Sequence, residues 1–133
     1  MYTEFLNKWI DVEIDRPLGS KHPRCELWFN LNYGFVPGTR AGDGEEIDVY
    51  VLGETQPIKF CRAFCIAIAF RFDDVEHKLI TSFNGDDFDN DIIWKQIEFN
   101  EKYFDSKIIR TKDEFLKLAK EKEERSLFSL RNT

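Results

Sequence analysis

A chain of 133 residues with 42% hydrophobic and 15% aromatic content has the size and composition of one folded domain with a substantial core. Its net charge of −6 disfavours a partner bound along a phosphate backbone, so nucleic acid is not expected. No run reaches transmembrane length and "MYTEFLNKWI" has no signal-type apolar block, so the chain reads as cytoplasmic, with no membrane partner.

Phe5, Leu6, Trp9 and Ile10 recur at helical spacing and predict a short opening turn of helix. "WIDVEID" then alternates Ile10, Val12 and Ile14 with Asp11, Glu13 and Asp15, the pattern of a half-buried strand. "RPLGSKHPR" stops that strand with two prolines and a glycine, leaving a cationic loop of Arg16, Lys21, His22 and Arg24. "CELWFNLNYGFVPGT" predicts a short strand running into a turn. "EEIDVYVLG" predicts another, with Ile47, Val49 and Val51 on one face and Asp48, Tyr50 and Leu52 on the other.

"IKFCRAFCIAIAFRF" is the longest apolar run, and "DDVEHKLITSF" makes it a hairpin that turns through Asp73, Asp74, Val75 and Glu76. Alternation sets Cys61, Ala63 and Cys65 on one face. The spacing of the three cysteines fits neither a disulfide framework nor a zinc site, so buried free thiols are expected. "NGDDFDND" lacks the glycine and distal Glu of a calcium loop and reads as a solvated connection. "DIIWKQIEFNEKYF" predicts a helix and "SKIIR" a short closing strand. "TKDEFLKLAKEKEER" is the clearest helix, opened by Thr111 and Glu114 at capping-box spacing. The expected architecture is a single domain over residues 1–133, mainly β with two helices, the later one packed outside.

The chemistry concentrates in "DGEEID", where Asp43, Glu45, Glu46 and Asp48 crowd onto a Gly-rich turn entering a strand. Carboxylates held this close repel unless a cation neutralises them, and hard divalent ions are bound by such oxygen donors together with water and phosphate. A second acidic set, "DDVE", sits in the predicted hairpin turn, and two such sets can clamp an in-line phosphoryl displacement. Acid-rich turns are as commonly plain solvated surface. Lys21, Arg24, Lys78 and Tyr33 lie beside the acids and supply the phosphate-binding half of such a site. His22 and His77 form no zinc-hydrolase pair, and neither a nucleophile elbow nor a Walker loop is present.

"NYGFVPGT" followed by "DGEEIDVYVLG" resembles the soluble, magnesium-dependent inorganic pyrophosphatases of family I. "VEIDRPLGS", "DDVEHKL" and, more loosely, "FNEKYF" extend the resemblance over roughly residues 12 to 125, with Asn32 to Gly53 the most specific part. The resemblance implies a small OB-like, five-stranded β-barrel with helices packed outside, Mg²⁺ as cofactor, pyrophosphate as substrate and a homo-oligomer. By position, Asp43 and Asp48 look like metal ligands, and Glu45 like a ligand serving as general base toward the attacking water. Glu76 looks like a later ligand and Lys78 like a phosphate clamp; the remaining ligand falls on Asp74 or Asp73, with Asp74 the better match. Tyr33 and Tyr103 look like phosphate-contacting phenols, Asp15 takes the place of an early Glu, and Lys21 or Arg24 stands for the early cations.

Two departures accompany the match. The family's Lys-x-Glu hairpin is absent, because "GSKHPRCELWF" runs almost directly into "NYGF", and Glu45 stands where the family has Asp. The expected function is Mg²⁺-dependent hydrolysis of pyrophosphate to two phosphates. The alternative is action on another phosphorylated substrate, or binding of a phosphorylated ligand or protein without turnover.

Overall fold

The computed structural model describes residues 1–131. At the start of the chain the alternation of Ile10, Val12 and Ile14 prevails over the helical spacing. Strand β1 runs Trp9–Arg16, and only Tyr2–Phe5 forms a 3-10 turn, broken off by Asn7 in the left-handed region at φ 62°. Trp9 and Ile10 are therefore strand residues, not helical ones.

Strands β2 (Asn32–Val36), β3 (Ile47–Leu52), β4 (Phe60–Arg71) and β5 (Lys78–Ser82) follow. Then come helix α1 (Asn90–Glu101), strand β6 (Ser106–Ile109) and helix α2 (Lys112–Arg131). The sheet order β1-β2-β3-β5-β4 closes on itself through a β1–β4 pairing, which gives a five-stranded barrel; β6 adds a sixth strand against β4. Only the β3–β5 pairing is parallel. The OB-like barrel with two helices is thus present, extended by one short strand.

Two apolar clusters follow from the pleat. Ile10, Val12, Ile14, Val36, Ile47, Val49 and Val51 fill the barrel, while Tyr50, Leu52, Ala67, Ala69 and Ile80 turn outward under Ile93 and Ile97 of α1. A β-bulge decides what the end of β4 does. Its pairing with β5 shifts between Cys65 and Ala67. Ala63 and Cys65 lie in the inner cluster, but beyond the bulge it is Ile68 and Phe70 that point inward and Ala67 and Ala69 outward. Arg71, two residues after Ala69, consequently falls on the outer face.

The cysteines are free, with Cys65 buried and Cys61 half-buried, and burial pushes these two thiols up to about 12 and about 11; Cys25, on the loop before β2, is exposed, against the expectation of a buried thiol. Helix α2 starts where the cap was expected, Glu114 N–H donating to the Thr111 hydroxyl at 3.1 Å, and it runs beyond the predicted end to Arg131. Phe115, Leu118 and Ala119 dock it on the inner cluster.

Gly34 of "NYGF" is where β2 presses on β1. A methyl group there would stand 1.9 Å from the Glu13 carbonyl oxygen. Gly34→Ala is expected to lower stability by at least about 1–3 kcal/mol, the usual cost of overpacking. An unchanged urea midpoint would show that the two strands separate freely.

Candidate active site

The outward face of β3 and β5 carries the first part of the site. Asp48 alternates with the inward Ile47 and Val49, and Lys78 opens β5 opposite Ala69 of β4. The Lys78 ammonium, almost wholly buried, bonds Asp48 at 2.5 Å and also Glu76. Tyr33 of β2 places its ring 5.8 Å from that ammonium. Burial, and then the neighbouring Asp48 charge, raise the Tyr33 phenol well above its ordinary value, so it keeps its proton.

Two loops bring the remaining acids in. Gly42 lies so tightly under the hairpin turn that a Cβ on it would stand 2.2 Å from the Val75 carbonyl oxygen. That contact sets Asp43 beside Glu76, and the two carboxyls hydrogen-bond to each other. Burial, followed by this bond, pushes Glu76 up to about 7, while the bond to Glu76 holds Asp43 low. Asp43 also accepts the Glu45 backbone N–H at 3.0 Å, leaving the Glu45 side chain exposed alongside.

A cavity of about 690 Å³ opens on this face, walled by Asp15, Arg16, Tyr33, Asp48, Arg71 and Lys78, with His22 and Tyr103 at its sides. The two early cations named from the sequence do not wall it: Lys21 pairs with Glu26 at 2.6 Å, and exposed Arg24 gives its backbone N–H to His22 Nδ1. His22 and Arg16 line it. Of the two hairpin aspartates, Asp74 touches the Asp43–Glu76 pair, accepting the Glu76 backbone N–H at 3.4 Å. Asp74 is bound to Arg71 at 2.8 Å, and Asp73 accepts the Asp105 N–H at 3.0 Å.

Among the described residues no three acidic, histidine or cysteine side chains stand together as a ready metal cage. What stands there instead is Lys78, bridging Asp48 and Glu76. The donors are all carboxylate oxygens. That chemistry suits a hard divalent cation.

The largest feature the sequence reading missed is buried. Arg71 gives Nε to Glu101 at 3.0 Å and Nη2 to the same carboxylate at 2.6 Å, and lies over the Phe104 ring at 3.6 Å. Glu101, fully buried in α1, also accepts from Tyr50 and Ser106. Burial drives the Glu101 carboxyl upward, but the Arg71 bonds and charge outweigh it and hold it low.

His77 faces away from the acids, as its alternation with Glu76 and Lys78 requires, and stacks on Phe70 at 4.2 Å. Burial, then Lys122, lower it to about 4, and Arg71 N–H donates to its Nδ1. The unfolded chain takes up this proton near 6.5, so below that value the unfolded state binds more protons. Its contribution is complete above about pH 6.5 and is lost as pH falls through 4, on the order of 3 kcal/mol in all. Metal-free Glu76 acts oppositely: its stabilisation is complete below its unfolded value of 4.5 and is lost as pH rises through about 7. His77→Gln is therefore expected to gain stability on acidification relative to the parent chain. Parallel urea-midpoint profiles of the two proteins from pH 7 to 4 would assign the loss to another group.

An OB-like barrel with a buried lysine, carboxylates and phenols around one outer cavity presents the groups that bind and polarise a phosphoryl group. The chain is a member of the inorganic pyrophosphatase family, whose model matches residues 12–126. Membership makes it a metal-dependent hydrolase of inorganic pyrophosphate.

Solved structures agree on the fold. An inorganic pyrophosphatase from Helicobacter pylori is 16% identical with TM-score 0.62, over 94% of this chain and 97% of that one. One from Ehrlichia chaffeensis is 20% identical with TM-score 0.62, over 80% and 88%. One from Neisseria gonorrhoeae is 23% identical with TM-score 0.58, over 73% and 74%. No curated protein sequence matches. No helix among the described residues is long and apolar enough to cross a membrane.

Proposed function

We propose that this chain hydrolyses inorganic pyrophosphate in the cytoplasm with Mg²⁺ as its metal, on the face carrying Asp43, Asp48, Glu76 and Lys78. The observation that carries the reading is the buried Lys78 ammonium held between Asp48 and Glu76 at a cavity that Tyr33 also walls. Asp43, Asp48 and Glu76 would hold Mg²⁺, with Glu45 and Asp74 or Asp73 as further oxygen donors. Bound there, it supplies neutralisation of the substrate's charge and acidifies water.

The chain's own groups do the rest. Lys78 is a desolvated cation in a low-dielectric wall, where its charge acts strongly on charge developing at phosphate. Its move from carboxylate to phosphate oxygen frees Asp48 and Glu76 as donors. Tyr33 donates its phenolic hydrogen to a phosphate oxygen, and exposed Tyr103 does so from the cavity side. Glu45 stands beside Asp43 as the base toward the attacking water.

The test is phosphate release from pyrophosphate with and without Mg²⁺, run beside a nucleoside triphosphate and a phosphomonoester. Mg²⁺-dependent release from pyrophosphate above the other two supports the reading. Release from another substrate alone reassigns it, and Mg²⁺ binding with no release from any makes the chain a binding protein.

A further inference from the structure

The cavity has a second buried cation besides Lys78, and nothing in the site described above uses it. Arg71 ends β4, walls the cavity and has a side chain only 3% exposed. The β-bulge puts it on the same outer face as Lys78. Ala69 and Lys78 are cross-strand partners, so Arg71, two residues on, is the diagonal neighbour of Lys78, with backbones roughly 7–8 Å apart. A guanidinium has five N–H donors. Glu101 takes one from Nε and one from Nη2, and Asp74 takes one from Nη1 at 2.8 Å. One donor on each terminal nitrogen is left.

Arg71 walls the cavity, so an oxyanion entering there can take these two donors in charge-assisted bonds. The guanidinium plane is already fixed, by Glu101 on one edge and by Phe104 beneath it at 3.6 Å. A planar fork held this way matches two oxygens of a phosphate, which Lys78, a point charge, cannot do. We propose that Arg71 is a substrate-contacting residue whose two remaining N–H donors bind one phosphate group of pyrophosphate while Lys78 binds the other. This rests on the pyrophosphatase reading and assigns the cationic wall that the missing hairpin leaves short.

Arg71→Lys keeps the charge and loses the fork. Its KM for pyrophosphate and its dissociation constant for inorganic phosphate with Mg²⁺ are expected to rise about tenfold or more. A purely structural ion pair would lower the unfolding midpoint and leave both constants alone, which overturns the proposal. Where the variant does not fold, the parent chain answers instead. The Arg71 Nη resonances should move on titration with inorganic phosphate and Mg²⁺, and unmoved resonances at saturation overturn it. Failure of the underlying reading looks different: the parent chain would not hydrolyse pyrophosphate, whatever Arg71 does with phosphate.

Discussion

Asp43→Ala is expected to lose pyrophosphate turnover by at least about a hundredfold, with an unchanged unfolding midpoint. The floor is the loss found when even an outer partner of a metal ligand is removed, and a direct oxygen donor should cost no less. Stability should hold because Asp43 is exposed, and substitutions at such surface positions usually stay within about 0.5 kcal/mol. The variant also relieves Glu76, whose carboxyl is raised by burial and then by its bond to Asp43. Glu76 should therefore titrate at lower pH in metal-free Asp43→Ala, visible in the side-chain carboxyl resonance. Full activity in this variant would remove Asp43 from the site. An unmoved Glu76 titration would show that burial alone sets it.

Gly42→Ala should act on the same pair without touching a carboxylate. The added methyl would need to stand 2.2 Å from the Val75 carbonyl, so the acidic loop and the hairpin turn must part by more than about 1 Å to reach ordinary contact. A misplacement of that size costs a catalyst on the order of a hundredfold. Both segments are at the surface, with Val75 itself exposed, so the displacement is taken up by loops and the barrel stays folded. Loss of kcat with a native circular dichroism spectrum is the expected result. Undiminished kcat would mean that the Asp43–Glu76 contact is not needed for the reaction. Comparing the two variants separates removal of a donor from its displacement.

Much of this molecule could be read in order along the chain because its signals are local. The alternation in "WIDVEID" and "EEIDVYVLG" assigned inward and outward residues of β1 and β3 correctly, and the Thr111–Glu114 spacing located the start of α2. The hairpin turn and the polar loop before α1 were legible from their turn residues. The opening turn is present but lies earlier than its apolar spacing indicated, at Tyr2–Phe5, because pairing with β4 takes Trp9 and Ile10 into β1.

By itself the sequence determined the strand pattern, the acidic turns and the family, because each is written in neighbouring residues. It placed Asp43 and Glu76 on turns and Asp48 and Lys78 on strands, as the structure has them. Only the tertiary structure decided how those segments meet: Gly42 under Val75, and Lys78 across to Asp48 on a strand paired in parallel. It also decided the face of Arg71. Strict alternation from Cys61 through Cys65 would have sent that arginine into the barrel. The bulge after Cys65 turns the strand by one residue and delivers the charge outward to Glu101 and the cavity. Such an offset depends on register against β5, which no local pattern records.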